Sequence, residues 1–290
     1  MRKKRVLVTA GNSLLGQSFN ELFSKEYEIY NLYHSGNINK KGWVKCDITD
    51  SETVSATSKF IGNIDIILHY AAQTTVWRSR QDKSLDAMTN IVGTLNMITL
   101  AEQCNASQFI FSSSESVYGD TISPIETSKK NPITPYGISK STCEKYINYC
   151  QDNSTIDFTI FRPSYVIGKG MTRNPIVDII SQINQKEIKL FQSDQSIFNF
   201  ISADEVNKMV AKLIYGEINI NDINIVNRDN IKLIEIIFFV SKITGIDYKV
   251  SSSDDVIQKN ILSTKYPQFS NFTKKDVLDI IKQKIIDERG

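Results

Sequence analysis

Short apolar runs alternate with stretches of helical apolar period through the first half of this chain, and this alternation constrains the fold most. Strands separated by helices are typical of a parallel sheet with helices on both faces, so the chain is expected to adopt an α/β fold. Ligands bind such sheets beyond the carboxyl ends of the strands, which makes the loops there the places to search. The predicted strands are 5–9, 27–33, 43–46, 64–69, 108–112 and 157–162, and the predicted helices of this half include 85–103 and 136–149.

The second half of the chain has a looser pattern. It is expected to form a smaller lobe, with a first domain at 1–165, to which segments near 198–230 return, and a second domain at 166–290. The predicted helices of this half are 175–185, 204–215, 232–244, 253–261 and 273–287.

Composition excludes several classes of protein. The 290 residues carry a formal net charge of +2, which provides no broad basic field for nucleic acid. No apolar run is long enough to cross a membrane, and the apolar stretch after the basic start is too short for a signal peptide. Four separated cysteines and two histidines disfavour a metal site and fit reduced thiols. We therefore expect a cytoplasmic protein with no metal, no nucleic acid partner and no membrane association.

The first strand-to-helix loop has the small residues of a dinucleotide-binding turn but lacks two of its glycines. A GxxGxxG pattern here would have glycine at positions that Ala10, Ser13 and Gly16 occupy. An ordinary tight turn explains the same residues, so the loop alone is a weak signal.

The end of the second predicted strand bears on the choice of cofactor. A carboxylate there favours NAD, whereas basic or hydroxyl groups accommodate the 2′-phosphate of NADP. This chain has His34 and Ser35, followed by Lys40 and Lys41, and no carboxylate. The sequence therefore favours NADP(H) over NAD(H), although His34 is also compatible with a solvated loop.

Two Tyr-x-x-x-Lys patterns occur in the chain. On a helix, a lysine four residues after a tyrosine shares its face and lowers the pKa of the phenol, which prepares the phenol for proton transfer. Tyr136 and Lys140 open a predicted helix behind Pro135, whereas Tyr165 and Lys169 follow a strand directly. We predict that the first pair is the functional one.

A serine cluster, 112–114, lies at the end of the fifth predicted strand. A hydroxyl in that loop would bond the substrate oxygen that the tyrosine protonates or deprotonates. The same cluster also fits an ordinary loop.

Together these segments resemble the extended short-chain dehydrogenase/reductase family, in particular its group of nucleotide-sugar epimerases and dehydratases, over roughly residues 4–230. The resemblance implies a Rossmann-type doubly wound sheet with a smaller C-terminal substrate-binding lobe, and a homodimer formed through the helices near 85–103 and 136–150. The segments that carry it are His69–Gln73, Asn90–Asn96, Ser112–Gly119, Tyr136–Lys140 and Arg162–Pro163.

The resemblance also assigns roles to residues. Tyr136 would be the general acid/base, Lys140 would lower its pKa and hold the nicotinamide ribose, and Ser114 would bond the reacting oxygen. Asp47 matches an adenine contact and Asn90 a support of the active-site helix, although Asp47 and Asp50 also fit helix N-caps. The predicted cofactor contacts are Ala10, Asn12, Ser13, Leu14, Leu15, His34, Ser35, Asp47, Ile48, Ala71, Ala72, Gln73, Asn90, Ser112, Tyr136, Lys140, Arg162 and Pro163. The predicted substrate contacts are Thr74, Ser114, Glu115, Ser116, Tyr165, Arg173 and Phe198.

Departures from the family pattern lie on the substrate side. Phe198 replaces an arginine that often binds the nucleotide diphosphate, and Tyr165 lies where the family commonly has asparagine. Either Arg173 or Lys169 supplies the missing charge, or the substrate is not a typical nucleotide sugar.

Three reactions compete, and all share a hydride transfer at a sugar carbon. A dehydratase usually has Asp-Glu after the Ser/Thr, but this chain has Glu115 and Ser116. An epimerase needs tightly held NAD, which the altered glycine turn disfavours. The sequence therefore favours reduction of a 4-keto sugar nucleotide over 4-epimerisation and 4,6-dehydration, and a non-catalytic cofactor-binding protein is a further alternative.

Overall fold

A seven-stranded sheet organises the first half of the chain. The computed structural model describes residues 2–264 and 271–289. Its strands are β1 (Arg5–Thr9), β2 (Glu28–Tyr33), β3 (Trp43–Lys45), β4 (Ile66–His69), β5 (Gln108–Ser112), β6 (Asp157–Pro163) and, later in the chain, β11 (Asp222–Ile225). The strand order is β11-β6-β5-β4-β1-β2-β3, and every adjacent pair from β3 to β6 is parallel. This order has the reversal between β1 and β4 of a Rossmann sheet, which confirms the expected fold class.

Helices connect these strands as the apolar periodicity predicts. The predicted helix at 85–103 is a run of three pieces, in which a π-helical turn (Met88–Val92) separates α4 from α5. Two helices, α2 and α3, were not among the predicted ones. The helices of this half are α1 (Leu14–Phe23), α2 (Ser51–Ile61), α3 (Val76–Gln81), α4 (Lys83–Ala87), α5 (Gly93–Gln103) and α6 (Pro135–Asn153), with a 3-10 helix at Glu115–Tyr118.

The core under the sheet is formed by strand residues and one layer of helices. Leu7, Ile67 and Phe109, from three neighbouring strands, are fully buried. They share one cluster with Met97 of α5 and Cys143 of α6. Burial of side chains this large contributes roughly 1.5–3 kcal/mol each, so the sheet and α6 are held as one layered body.

The chain divides into two compact units. The first comprises residues 1–121, 127–162 and 207–223, and the second comprises residues 122–126, 163–206 and 224–290. The short segment 122–126 thus belongs to the second unit, and 207–223 belongs to the first.

In its described residues, the second unit has three small sheets and a helical layer. α10 packs against α7 and α9. Its strands are β7 (Tyr165–Ile167), β8 (Glu187–Lys189), β9 (Ile197–Phe198), β10 (Phe200–Ser202), β12 (Ile231–Lys232), β13 (Lys249–Ser251) and β14 (Gln258–Lys259), and its helices are α7 (Pro175–Ile180), α9 (Leu233–Thr244) and α10 (Lys274–Arg289). A further helix, α8 (Ala203–Tyr215), contains the boundary between the units.

The predicted helix at 253–261 is wrong. The chain there forms β14 instead, and Ile197 N donates to Ile257 O at 2.8 Å. Ser253 accepts a hydrogen bond from Asp255 N, a local turn of the kind that keeps Ser and Asp out of helices. Gln258 and Lys259 are instead paired with Ile197 and Phe198 of β9.

None of the helices in residues 2–264 and 271–289 combines the length and apolarity that a membrane crossing requires. The four cysteines are free thiols. Within the same residues, no group of three or more His, Cys, Asp or Glu side chains is arranged to hold a metal ion.

Candidate active site

The start of α6 fixes the position of Tyr136. Thr134 is the N-cap, and its hydroxyl accepts a hydrogen bond from Gly137 N at 3.1 Å, while Pro135 opens the first turn. Tyr136 and Lys140 therefore occupy the first two turns of the helix, where residues four apart share one face.

Lys140 is buried beneath the end of β5. Its Nζ donates to Ser112 O at 2.8 Å and lies 4.6 Å from the centroid of the Phe111 ring. Burial lowers the pKa of Lys140 to about 8, and the neighbouring Cys143 and Asp86 act in the opposite direction. The ammonium can therefore lose its proton within the ordinary working range of an enzyme.

Tyr136 is only 8% exposed, and its phenol is hydrogen-bonded to the Ser114 hydroxyl. Burial raises the pKa of Tyr136 to about 12, although the Ser114 bond lowers it. This corrects the expectation of a lowered phenol pKa, because desolvation of the phenolate outweighs the other effects in the chain alone. The phenol is thus held protonated until another charge stabilises its anion.

Ser114 is positioned by a tight loop. It is the N-cap of the 3-10 helix, with its Oγ accepting from Ser116 N at 3.2 Å. A Cβ on Gly137 would lie 2.5 Å from Ser116 O, so only glycine allows this close approach of α6 to the loop. Gly137 is a site residue that the sequence reasoning missed, since its need arises from packing between distant segments.

Asn90 lies in the π-helical turn and contacts two segments at once. Its Oδ1 accepts from Gln73 N at 2.8 Å, and its Nδ2 donates to Ser139 Oγ at 3.0 Å. Ser139 Oγ in turn donates to Tyr136 O at 2.9 Å. Asn90 therefore connects the loop after β4 to the start of α6. Its contact with a cofactor stays a prediction.

The loop after β1 keeps the shape of a phosphate-binding turn without all its glycines. Ala10 has a φ of +53°, which non-glycine residues rarely adopt. A Cβ on Gly16 would lie 2.5 Å from Ala10 O, and one on Gly11 would lie 2.2 Å from Asn31 Oδ1. Ser13 is the N-cap of α1. The first N–H groups of α1 have no acceptor within the helix, which makes this end suited to an anion.

A directed hydrogen-bond chain connects this loop to Asn90. Thr9 Oγ1 accepts from the backbone N atoms of Tyr70 and Ala71, so its own proton goes to His69 Nδ1 at 3.0 Å. His69 Nε2 then donates to Thr94 Oγ1, also at 3.0 Å. Burial lowers the pKa of His69 to about 3, and the ring stays neutral.

The loop after β2 contains two of the predicted cofactor residues. His34 is exposed, and its Nε2 lies 3.6 Å from Asp47 Oδ2. The backbone N of Thr49 and, less strongly, the His34 charge lower the pKa of Asp47. Asp50 caps α2, as one alternative in the sequence reasoning had it, whereas Asp47 stabilises the turn before it.

Arg162 is fully buried, and its guanidinium is occupied by the protein. Its Nε donates to Glu144 Oε1 at 2.7 Å and its Nη1 to Asp222 Oδ1 at 2.5 Å. Although burial alone would raise the pKa of Glu144, the bonds to Arg162 hold it below its usual range. The Arg162 side chain therefore stabilises the sheet near β6, and a cofactor contact from it stays a prediction.

The second Tyr-x-x-x-Lys pattern lies in the second unit. Tyr165 begins β7, and Lys169 is exposed in the loop beyond that strand. Phe198 is buried, with its ring centroid 5.2 Å from that of Tyr165 and 5.7 Å from that of Phe200. Arg173, which was predicted to replace the missing positive charge, is exposed.

The other predicted site residues follow the strand ends of the first unit or adjoin them. The side chain of Gln73 is held in place by Thr75 N, which donates a hydrogen bond to its Oε1 at 2.6 Å. The exposed ones are Asn12, Ser35 and Thr74; the partly buried ones are Leu14, Leu15, Ala72 and Ser116; the buried ones are Ile48, Glu115 and Pro163, of which Pro163 belongs to the second unit.

Comparison with known proteins gives several relatives of this chain. It is 27% identical over 209 residues to UDP-glucose 4-epimerase of Mycolicibacterium smegmatis, a match that spans 69% of this chain and 64% of the relative. It is also 27% identical over 234 residues to dTDP-D-glucose 4,6-dehydratase of Mus musculus, across 74% of this chain and 66% of the relative. The matches thus span about two thirds of the length of these curated relatives.

Solved structures share the whole fold. A UDP-N-acetylglucosamine 4-epimerase from Methanobrevibacter ruminantium M1, in complex with UDP-N-acetylmuramic acid, has a TM-score of 0.85 and 20% identity, with both chains fully covered. A UDP-glucose 4-epimerase from Thermotoga maritima, with UDP-glucose, has a TM-score of 0.84 and 22% identity over 98% of each chain. A sequence model of the NAD dependent epimerase/dehydratase family matches residues 6–227. The chain belongs to the NAD dependent epimerase/dehydratase family.

Proposed function

We propose that this protein is an NAD-dependent 4-epimerase of a nucleotide sugar. The observation that carries the proposal is a site with one proton-transferring phenol, Tyr136, bonded to Ser114 and followed one turn later by Lys140. Epimerisation removes a proton from the 4-hydroxyl oxygen and a hydride from C4, and then returns the proton to that oxygen and the hydride to the other face of C4, so a single acid/base group suffices.

The residues of the chain perform the proton part of this reaction. Tyr136, as the phenolate, takes the proton of the 4-hydroxyl while Ser114 holds the same oxygen, and departure of the C4 hydride to the cofactor leaves a 4-keto sugar. The ketone then turns its other face, and Tyr136 returns the proton to the same oxygen. The buried Lys140 ammonium stabilises the phenolate during this cycle, which a phenol with a pKa near 12 requires.

The chemistry that bound NAD would supply is acceptance and return of the C4 hydride. The loop at Ala10, Gly11 and Gly16 and the N-terminus of α1 would hold its diphosphate, because these small residues keep the turn compact and the first N–H groups of α1 suit an anion. Ala71 and Ala72 would leave room beside the nicotinamide. Asp47 would hold the adenine, and preference for NADP(H) over NAD(H) stays a prediction that rests on His34 and Ser35.

Epimerisation is favoured over the two other reactions. A 4,6-dehydratase needs a second acid and base at the sugar, and only Glu115 of the expected Asp-Glu pair is present, buried in the 3-10 helix. The reduction of a 4-keto sugar, which the sequence reasoning preferred, rested on an altered glycine turn. That turn keeps its close backbone approach, so it is compatible with tight cofactor binding. One of the two relatives and both structural neighbours described above are named as 4-epimerases, and the other relative is named as a 4,6-dehydratase.

The substrate class is a nucleotide-activated sugar, as in the named relatives. Thr74, Ser114, Glu115 and Ser116 are the proposed contacts in the first unit. Tyr165, Arg173 and Phe198 are the proposed contacts in the second.

The test is conversion of UDP-glucose, UDP-N-acetylglucosamine and UDP-glucuronic acid to their C4 epimers, followed by proton NMR with NAD present. An epimerase gives an equilibrium mixture with no net change in nicotinamide absorbance and no solvent deuterium at the sugar. Stoichiometric consumption of NAD(P)H with a 4-keto sugar would establish the reductase instead. Loss of water with deuterium incorporation would establish a dehydratase.

A further inference from the structure

The site contains a buried carboxylate that the proposed reaction does not use. Asp86, on α4, is 1% exposed. Its Oδ1 accepts hydrogen bonds from Gln73 Nε2 at 3.1 Å and from Asn90 Nδ2 at 3.2 Å. Both partners are amide N–H groups that donate to the same carboxyl oxygen.

Three hydrogen bonds connect Asp86 to the catalytic tyrosine. Asn90 Nδ2, which bonds Asp86, also donates to Ser139 Oγ, and Ser139 Oγ donates to Tyr136 O. Asp86 and Asn90 are four residues apart on one helical stretch, so the carboxylate orients the amide that contacts α6.

Asp86 differs from the other buried acid close to Lys140. Glu144 is neutralised by Arg162 and by Lys130, whose Nζ lies 2.5 Å from Glu144 Oε2. In the described part of the chain, Asp86 makes no such ion pair. Its negative charge therefore acts on the groups in the site rather than on a dedicated partner.

We propose that Asp86 is a positioning residue whose buried negative charge keeps Lys140 protonated and sets the pH range in which Tyr136 exchanges its proton. Only the part of this inference that concerns kcat depends on the proposed function. A nicotinamide ring bound near Lys140 would add a second positive charge to a buried site, and the carboxylate of Asp86 would compensate for it.

The effects of the Asp86 charge on the pKa values of Lys140 and Tyr136 have the direction that this role requires. The Asp86 charge raises the pKa of Lys140 against the larger effect of burial, and it adds to the burial that raises the pKa of Tyr136. The neutral His69 has no compensating charge to offer. The titratable groups that act on Lys140 or Tyr136 are Asp86, Cys143, Glu144 and Glu115.

The variant Asp86→Asn removes the charge and keeps an oxygen that accepts both amide bonds. Loss of the charge lowers the pKa of Lys140 and of Tyr136 together. We therefore expect both limbs of the pH profile of kcat to move to lower pH, by about 1 unit, the lower end of the range for neighbouring charges. A merely structural role would reduce kcat or the melting temperature without moving the limbs.

A second readout is independent of turnover. The ¹³C shift of Lys140 Cε, identified by its absence in Lys140→Met, is followed across pH in the cofactor-free protein. The midpoint should fall in Asp86→Asn. The matched control is Asp82→Asn, which removes an exposed charge from the N-cap of the same helix and keeps the cap, and it should leave the midpoint unchanged.

The two readouts separate the two proposals. If wild-type protein epimerises no sugar but the Lys140 midpoint falls in Asp86→Asn, the proposed function fails and the role of Asp86 stands. If the midpoint and both limbs are the same in Asp86→Asn as in wild type, with circular dichroism showing a folded protein, the role of Asp86 is refuted.

Discussion

The two Tyr-x-x-x-Lys patterns have the same spacing and opposite structures. Tyr136 and Lys140 lie on successive turns of α6, and both side chains are buried next to the end of β5. Tyr165 lies on a strand, and Lys169 is exposed in the loop that follows. A spacing of four residues brings two side chains together on a helix, where it corresponds to about one turn. On a strand the same spacing covers more than 12 Å by the usual rise of about 3.3 Å per residue, so the two side chains stay apart.

The flanking residues are what distinguish the two copies. Thr134 and Pro135 start a helix immediately before Tyr136, whereas Gly168 interrupts any helix after Tyr165. The helix start places a phenol and an ammonium on one face, and burial then shifts both pKa values. The following predictions test this difference, beginning with the largest effect.

Replacing each tyrosine by phenylalanine should separate the copies most clearly. Tyr136→Phe removes the proton-transferring group, so kcat should fall about 10²–10⁴-fold, the usual contribution of general acid–base catalysis. Tyr165→Phe should cost much less. The measurement is the rate of C4 inversion by NMR, with NAD binding to both variants as the control for folding. A dead Tyr165 variant beside an active Tyr136 variant would reverse the assignment.

The second-largest difference is expected between variants of the two lysines, Lys140 and Lys169. Lys140→Met removes a charged donor that is bonded to Ser112 O, and kcat should fall about 10- to 100-fold, as expected for a hydrogen bond from a charged group. The pH profile carries a further signature. Because the pKa of Lys140 is about 8, the ammonium is present below that pH and lost as pH rises through it, so wild-type activity should decline there.

The variant Lys140→Met should lack that alkaline decline. Lys169→Met is the matched control, and its profile should keep the wild-type limbs because the Lys169 side chain is exposed. An alkaline limb that persists in Lys140→Met and disappears in Lys169→Met would contradict the comparison.

Gly137→Ala should have the smallest effect of the three. The added methyl group meets Ser116 O, so the loop that carries Ser114 must move away from Tyr136. Small displacements of this kind cost up to about 10²-fold in rate, and we expect a loss of kcat with a nearly unchanged KM. Ile138→Ala, at an exposed position of the same helix, is the control. Equal kinetics for Gly137→Ala and wild type would show that the close approach is not needed.

Much of the first unit follows from local sequence patterns. The six strands from β1 to β6, with β2, β3 and β4 slightly shorter than predicted, and the helix at Tyr136 were readable because apolar periodicity and caps act within a few residues. Local sequence patterns predicted the second half of the chain less well. Its strands β9 and β14 have two residues each, and β14 exists through pairing with a segment about 60 residues away, so the local pattern around Ile257 predicted a helix instead.

The site residues also fall into those that sequence motifs identify and those that only contacts in the folded chain identify. Ser114, Tyr136 and Lys140 carry the resemblance to the family in their own motifs, and the structure brings Ser114 to Tyr136. Asp86 and Gly137 had no such signal. Their importance arises from contacts with Gln73, Asn90 and Ser116, which neighbour them only in the folded chain.

By itself, the sequence determined the α/β class, the order of strands β1 to β6 and the family, because short-range periodicity and motif order record these directly. Only the tertiary structure decided the state of the reacting groups. The phenol of Tyr136 has a raised pKa and Lys140 a lowered one, whereas the motif predicts that the lysine lowers the pKa of the phenol. The physical reason is desolvation, which depends on how many atoms surround a group, and those atoms come from segments far apart along the chain.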